Sequence, residues 1–119
     1  MTGKLTTHVL DISIGRPARE VLVELWQVGL HEELVFLVKR VTNLDGRVHE
    51  PFLEGEKMKP GIYEFRFHVG AYYRTQRTAG KHPPFLDCVP VRFSITEPDS
   101  HYHVPLLVSP GGYSTYRGS

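Results

Sequence analysis

Hydrophobic residues recur at every second position over most of the chain, which is the period of a β-strand rather than a helix. Residues 62–69 show this most clearly, because Tyr63, Phe65, Phe67 and Val69 would share one face of a strand. Similar runs, each bounded by turn-forming residues, predict further strands. The predicted strands cover residues 5–11, 21–28, 34–42, 52–53, 62–69 and 88–96, with two more flanking the turn at residues 110–112.

One segment breaks the strand rhythm. Residues 71–79 (A-Y-Y-R-T-Q-R-T-A) predict the one short helix, closed by Gly80 and by the His-Pro-Pro sequence at residues 82–84. About eight short strands and a single helix predict an all-β fold, a β-sandwich of two sheets. The length of 119 residues predicts one domain, spanning residues 1–119.

Two local signals refine the prediction. Asp45-Gly46 between strand-like runs is typical of a β-hairpin, because glycine accepts the positive φ that such a turn requires. Arg47 would then stand just past a rigid turn. Pro90 lacks a backbone N–H, which indicates that the strand around it is not a fully paired central strand.

Composition narrows the classes of function. A net charge of +1 with neutral histidines gives no electrostatic reason to expect nucleic acid or an anionic membrane as partner. No stretch approaches the length of a membrane span, and the N-terminus lacks the apolar segment of a signal peptide. Cys88 is the only cysteine, which excludes an intrachain disulfide and a cysteine-based zinc site. We therefore expect a cytoplasmic protein.

Seven histidines in a small chain direct attention to histidine chemistry. His8 lies within a predicted strand, and His101 and His103 are spaced to share one strand face. Each is, by default, a solvated or hydrogen-bonded residue. Together they leave open a three-histidine zinc site. Arg47 is either a solvated charge at the turn or a residue whose planar guanidinium binds a carboxylate, imide or oxyanion.

Three stretches resemble the transthyretin-like family, in order along the whole chain. Residues 5–11 (L-T-T-H-V-L-D) resemble its N-terminal signature, and residues 42–47 (T-N-L-D-G-R) its T-x-x-D-G-R turn. Residues 101–107 and 113–119 are similar to its C-terminal signature. The closing Tyr-Arg-Gly-Ser discriminates within the family, because it marks 5-hydroxyisourate hydrolases and is absent from transthyretins.

The resemblance implies a transthyretin-like sandwich, a homotetramer with active sites at the dimer–dimer interface, and hydrolysis of 5-hydroxyisourate during urate degradation. It implies no metal and no other cofactor. The alternative is a transthyretin-type protein that binds a small ligand without catalysis. The implied catalytic residues are His8, Arg47, His103 and Ser119, the last through its hydroxyl or α-carboxylate, and the implied substrate-binding residues are Tyr116, Arg117 and Gly118. Either His8 or His103 would be the base, and His101 would be a surface residue.

Overall fold

The computed structural model describes residues 2–76 and 84–119 and confirms the all-β sandwich. Its strands are β1 (Lys4–Asp11), β2 (Arg16–Pro17), β3 (Leu22–Val28), β4 (Leu34–Val41), β5 (Leu53–Glu54), β6 (Gly61–Phe67), β7 (Val89–Ile95), β8 (Tyr102–Ser109) and β9 (Gly112–Thr115). A single 3₁₀ turn, Gly55–Lys57, follows β5, and the helix α1, Val69–Gln76, follows β6. Within the described residues, no helix is long and apolar enough to cross a membrane.

The core lies between the two sheets and is built by the alternation seen in the sequence. On β1, Leu5, Thr7 and Val9 point inward and are buried, while Thr6 and His8 between them stay partly accessible. Phe65 on β6 is also fully buried and packs edge-on against Phe52, with ring centroids 4.8 Å apart. It stacks on Phe93 of β7 at 5.3 Å. These contacts bury one face of each sheet, so the opposite face is the one available for a functional site.

The first sheet has β1 near its centre. β8 runs parallel to β1 on one side, and β9 continues the sheet beyond β8. On the other side, β1 pairs with β2 at one end and with β5 at the other. The turn at residues 43–47 occupies the space between them, where the Val9 N–H donates to the Gly46 carbonyl at 2.8 Å.

The second sheet has the order β4-β3-β6-β7. Pro90 lies on β7, at the end of this order, as its missing donor predicts. Helix α1 begins at Val69, two residues earlier than predicted, so the preceding strand ends at Phe67. The predicted end of the helix at residue 79 and the closing residues 80, 82 and 83 lie outside the described residues.

The predicted hairpin after Asp45-Gly46 is wrong. The tight turn itself forms, since Gly46 has φ +74 and the Asn43 N–H donates to the Arg47 carbonyl at 2.7 Å. The chain then crosses to the other sheet instead of pairing with β4, and β5 joins β1. Burial explains the crossing, because Phe52 and Leu53 enter the core beside β1. The crossing also brings Arg47 to the strand that carries His8.

Candidate active site

The parallel pairing of β1 with β8 brings together two histidines that are 95 positions apart in the chain. Thr6 is in register with His103, and His8 with Pro105. Thr6, His8 and His103 face outward, because the residues on either side of each are buried. His8 and His103 are therefore diagonal neighbours on the outer face of the first sheet.

His8 is held by the turn that follows β4. Its Nε2 lies 2.8 Å from the Asp45 carbonyl, and a carbonyl only accepts, so Nε2 carries the hydrogen. The Asn43 side chain shapes this turn, since its Oδ1 accepts hydrogen bonds from the Asp45 and Arg47 N–H groups at 2.9 and 3.2 Å. Burial, and then the nearby Arg47 guanidinium, lowers the pKa of His8. The neutral ring therefore has its free electron pair on Nδ1.

His103 is held by a hydroxyl instead of a carbonyl. Its Nδ1 lies 2.8 Å from Thr6 Oγ1. Burial lowers the pKa of His103, and the charges of Arg47 and His8 lower it further. At neutral pH the ring is consequently uncharged and able to take a proton.

The last residues of the chain fold back onto β8. The Gly118 N–H donates to the His103 carbonyl at 2.7 Å. A Cβ added to Gly118 would lie 2.7 Å from Cδ2 of the His103 ring, so only glycine allows this approach. The Arg117 guanidinium lies 4.0 Å from the centroid of the Tyr102 ring and donates to the His101 carbonyl at 3.0 Å. These contacts hold residues 117 and 118 against β8.

These elements surround an open cavity of about 480 Å³. The cavity is lined by Lys4, Thr6, Arg47, His101, His103 and Ser119. Three of the predicted site residues, Arg47, His103 and Ser119, thus meet in one place. Of the other predicted residues, His8 and Gly118 form isolated β-bridges with the lining residues Arg47 and His103, and Tyr116 and Arg117 line a separate cavity of about 280 Å³. The arrangement can bind a polar or anionic molecule next to an uncharged imidazole.

Comparison with known proteins identifies the family. A sequence profile described as the HIUase/Transthyretin family matches residues 5–118. The chain belongs to this family.

Several known proteins match this chain over nearly all of its length. A 5-hydroxyisourate hydrolase from Halalkalibacterium halodurans is 54% identical over 119 residues, which is 100% of both chains. The crystal structure of an (S)-allantoin synthase matches with a TM-score of 0.88 and 45% identity. The match covers 99% of this chain and 44% of that longer one. Transthyretin from Sparus aurata matches with a TM-score of 0.85 and 28% identity, over 97% of this chain and 96% of its own.

The three-histidine zinc site is not assembled in this family member. Within residues 2–76 and 84–119, no three histidine, cysteine, aspartate or glutamate side chains are grouped as metal ligands. His101 is exposed just before β8, and its carbonyl is bound by Arg117, while the Nε2 of His8 is directed at Asp45.

Sequence reasoning missed several residues of the cavity. Lys4 and Thr6 line it because they alternate with buried residues on β1 and therefore share the face of His8. The two-residue period was a sufficient signal for Thr6, and for Lys4 once the predicted strand 5–11 is extended by the one residue that β1 adds. Asn43 and the Asp45 carbonyl were missed because a turn sequence does not say which strand the turn will meet.

Proposed function

We propose that this protein hydrolyses 5-hydroxyisourate. Water adds to a ring carbonyl and the N1–C6 amide bond breaks, giving 2-oxo-4-hydroxy-4-carboxy-5-ureidoimidazoline. The observation that carries this proposal is the convergence of Arg47, His103 and Ser119 on one cavity, with His8 bridged to Arg47. The 5-hydroxyisourate hydrolase from Halalkalibacterium halodurans, at 54% identity over the full length, supports the same reaction.

His103 is proposed to take the proton from the attacking water. It lines the cavity, and its lowered pKa keeps it uncharged at neutral pH, which is the state that a general base needs. The imidazolium then returns this proton to the ring nitrogen as the amide bond breaks. A positioned acid–base group of this kind contributes roughly 10²- to 10⁴-fold to the rate. His8 supports the site by holding the turn that carries Arg47 through its bond to the Asp45 carbonyl.

Two cations face the proposed position of the substrate. Arg47 and Lys4 both line the cavity. The planar guanidinium of Arg47 suits the polar edge of an imide ring and the oxyanion that forms when water adds. Lys4 also has a surface ion pair with Glu54, at 3.6 Å, so Arg47 is the main proposed oxyanion partner.

The terminal tetrapeptide is proposed to complete the pocket. Ser119 lines the cavity and would orient the water or the ring. Gly118 allows the tail to lie against His103, and the Arg117 guanidinium packs on the Tyr102 ring. Tyr116, Arg117 and Gly118 stay predicted substrate contacts.

The assembly is proposed to be a homotetramer of single-domain subunits spanning residues 1–119, with the cavities at the dimer–dimer interface. Large apolar side chains are exposed in the turns and edge strand of the sheet that carries the cavity, which supports burial there by another copy. They are Ile12, Ile14, Leu44 and Tyr113. A cytoplasmic location is also proposed, since Cys88 is a free thiol and fits a reducing compartment.

Substitution of His103 tests the reaction. 5-Hydroxyisourate generated from urate decays spontaneously, and the wild-type protein should accelerate the decay of its ultraviolet absorbance. His103→Ala should lower kcat at least 100-fold. The matched control is His49→Ala, which removes an exposed histidine outside the cavity lining. Equal activity of the two variants would contradict the role of His103.

A transthyretin-type carrier is the alternative. The fold does not separate the two, since Sparus aurata transthyretin has the same architecture. The histidines, Arg47 and the Tyr-Arg-Gly-Ser end favour the hydrolase. Absence of any acceleration by the wild-type protein, together with tight binding of an aromatic ligand, would favour the carrier.

A further inference from the structure

Thr6 occupies a specific position relative to the proposed base. It faces His103 in register across the parallel β1–β8 pair, and its Oγ1 lies 2.8 Å from Nδ1 of the imidazole. Thr6 is half-buried and forms part of the cavity wall. Thr6 therefore contacts Nδ1 of His103 directly and leaves Nε2 without this contact.

The opposite edge of the same ring is fixed by Gly118. The approach of Gly118 is to Cδ2, which lies across the ring from Nδ1. A 180° rotation of the ring would replace the Nδ1–Thr6 contact by a carbon that forms no hydrogen bond, and would turn nitrogen toward the tail. Thr6 and Gly118 together therefore hold the ring in the orientation in which Nε2 is its free nitrogen.

The Thr6 hydroxyl also affects which nitrogen of the His103 ring carries the hydrogen. His8 meets a carbonyl, so its neutral tautomer is determined by that bond. A hydroxyl both donates and accepts, so the Thr6 contact is compatible with either tautomer. Only the tautomer with hydrogen on Nδ1 leaves Nε2 free to accept a proton. In that tautomer, Thr6 Oγ1 is the acceptor.

We infer that Thr6 is a positioning residue that accepts the Nδ1–H of His103 and so keeps the basic electron pair on Nε2. Because the hydroxyl is uncharged, it orients the ring without the stabilisation of imidazolium that a carboxylate gives. In the cycle, water transfers its proton to Nε2 and the resulting hydroxide forms the C–O bond. The same Nε2–H then protonates the leaving nitrogen as the C–N bond breaks. Nδ1–H stays bonded to Thr6 throughout.

This inference rests on the proposed hydrolysis, and two variants test it. Thr6→Val keeps the shape and removes the hydroxyl, whereas Thr6→Ser keeps the hydroxyl. Loss of a group that orients a functional histidine typically costs about 10- to 100-fold. Thr6→Val should therefore lower kcat by about that factor with KM changed less than about threefold, and Thr6→Ser should restore most of kcat.

Nitrogen NMR of the imidazole provides a readout independent of turnover. The wild type and Thr6→Ser should show His103 with hydrogen on Nδ1, and Thr6→Val should shift it toward Nε2. In a pH profile of kcat, Arg47 and then His8 lower the pKa of His103 in addition to its burial, and all the polar groups that face the cavity or this ring are taken into account. Besides Thr6, they are Lys4 and His8 from β1, Arg47 from the turn, His101 at the start of β8, and Ser119 in the tail.

The outcomes separate the two proposals. A wild-type protein that does not accelerate 5-hydroxyisourate decay would overturn the proposed function, whatever the tautomer. A hydrolytically active wild type with hydrogen on Nε2 of His103 would overturn the inference about Thr6. So would a Thr6→Val variant with wild-type kcat.

Discussion

Replacing Gly118 with alanine perturbs the contact between the tail and the His103 ring. The added Cβ would lie 2.7 Å from Cδ2, 3.4 Å from Cγ and 3.5 Å from Cβ of His103. Ordinary contact begins at 3.4 Å, so ring and tail must separate by about 0.7 Å (3.4 minus 2.7). The tail carries Ser119 and is joined to β8 by the Gly118 N–H. Whether the tail or the His103 ring moves away, a residue of the proposed site is displaced.

The expected effect on turnover follows from that displacement. Misplacement of a catalytic group by about 1 Å costs on the order of 100-fold, so a 0.7 Å shift should lower kcat/KM by roughly 10- to 100-fold. The free energy of unfolding should change by less than about 1 kcal/mol, because the strain lies at the chain end, which can move away from the core. A large loss of activity without loss of stability is the distinguishing result.

The control for this variant lies on the same hairpin. A Cβ added at Gly111 meets no atom within 4 Å, so Gly111→Ala adds the same methyl group without a clash. Both variants are assayed by the decay of 5-hydroxyisourate absorbance above the spontaneous rate, and by urea unfolding. If Gly118→Ala retains kcat/KM within about twofold of Gly111→Ala, the proposed fit of the tail against His103 is wrong.

Two further predictions concern stability and assembly. Asp11 is buried and accepts hydrogen bonds from Tyr72 and Tyr73 at 2.8 and 2.9 Å, so Asp11→Ala should lower the free energy of unfolding by about 3 kcal/mol in urea at pH 7. Burial raises the pKa of Asp11, but its hydrogen bonds outweigh this and bring the pKa below 3.8. The difference in unfolding free energy between wild type and Asp11→Ala should therefore narrow as the pH falls below about 4. A difference under about 1 kcal/mol at pH 7 would contradict the role of the carboxylate. Sedimentation of the wild type should give a tetramer, and a fully active monomer would refute the proposed interface site.

The local elements were largely predictable because they depend on neighbouring residues. The alternation in β1 and β6 and the edge position of Pro90 all follow from side-chain period and backbone chemistry. The hairpin after Gly46 was predicted wrongly for a physical reason. A turn sequence fixes the local backbone, but the partner of the next strand is chosen by the burial of Phe52 and Leu53.

The candidate site was predictable only as a list of residues. Motif resemblance pointed to His8, Arg47 and His103, but nothing in the sequence placed Arg117 on the Tyr102 ring instead of in the cavity. For Lys4 and Thr6 the position was predictable but the role was not. The period of β1 placed them on the outer face, and only the pairing with β8 made that face part of the candidate site.

By itself, the sequence determined the strands, the turns and the chemistry that their side chains can perform, because these depend on contacts between residues close along the chain. The tertiary structure decided that β1 lies parallel to β8, that Thr6 meets His103, and that the turn from Asn43 to Arg47 closes over His8. These contacts join residues 37 to 97 positions apart. Their pairing depends on how the whole core packs, and no local pattern encodes it.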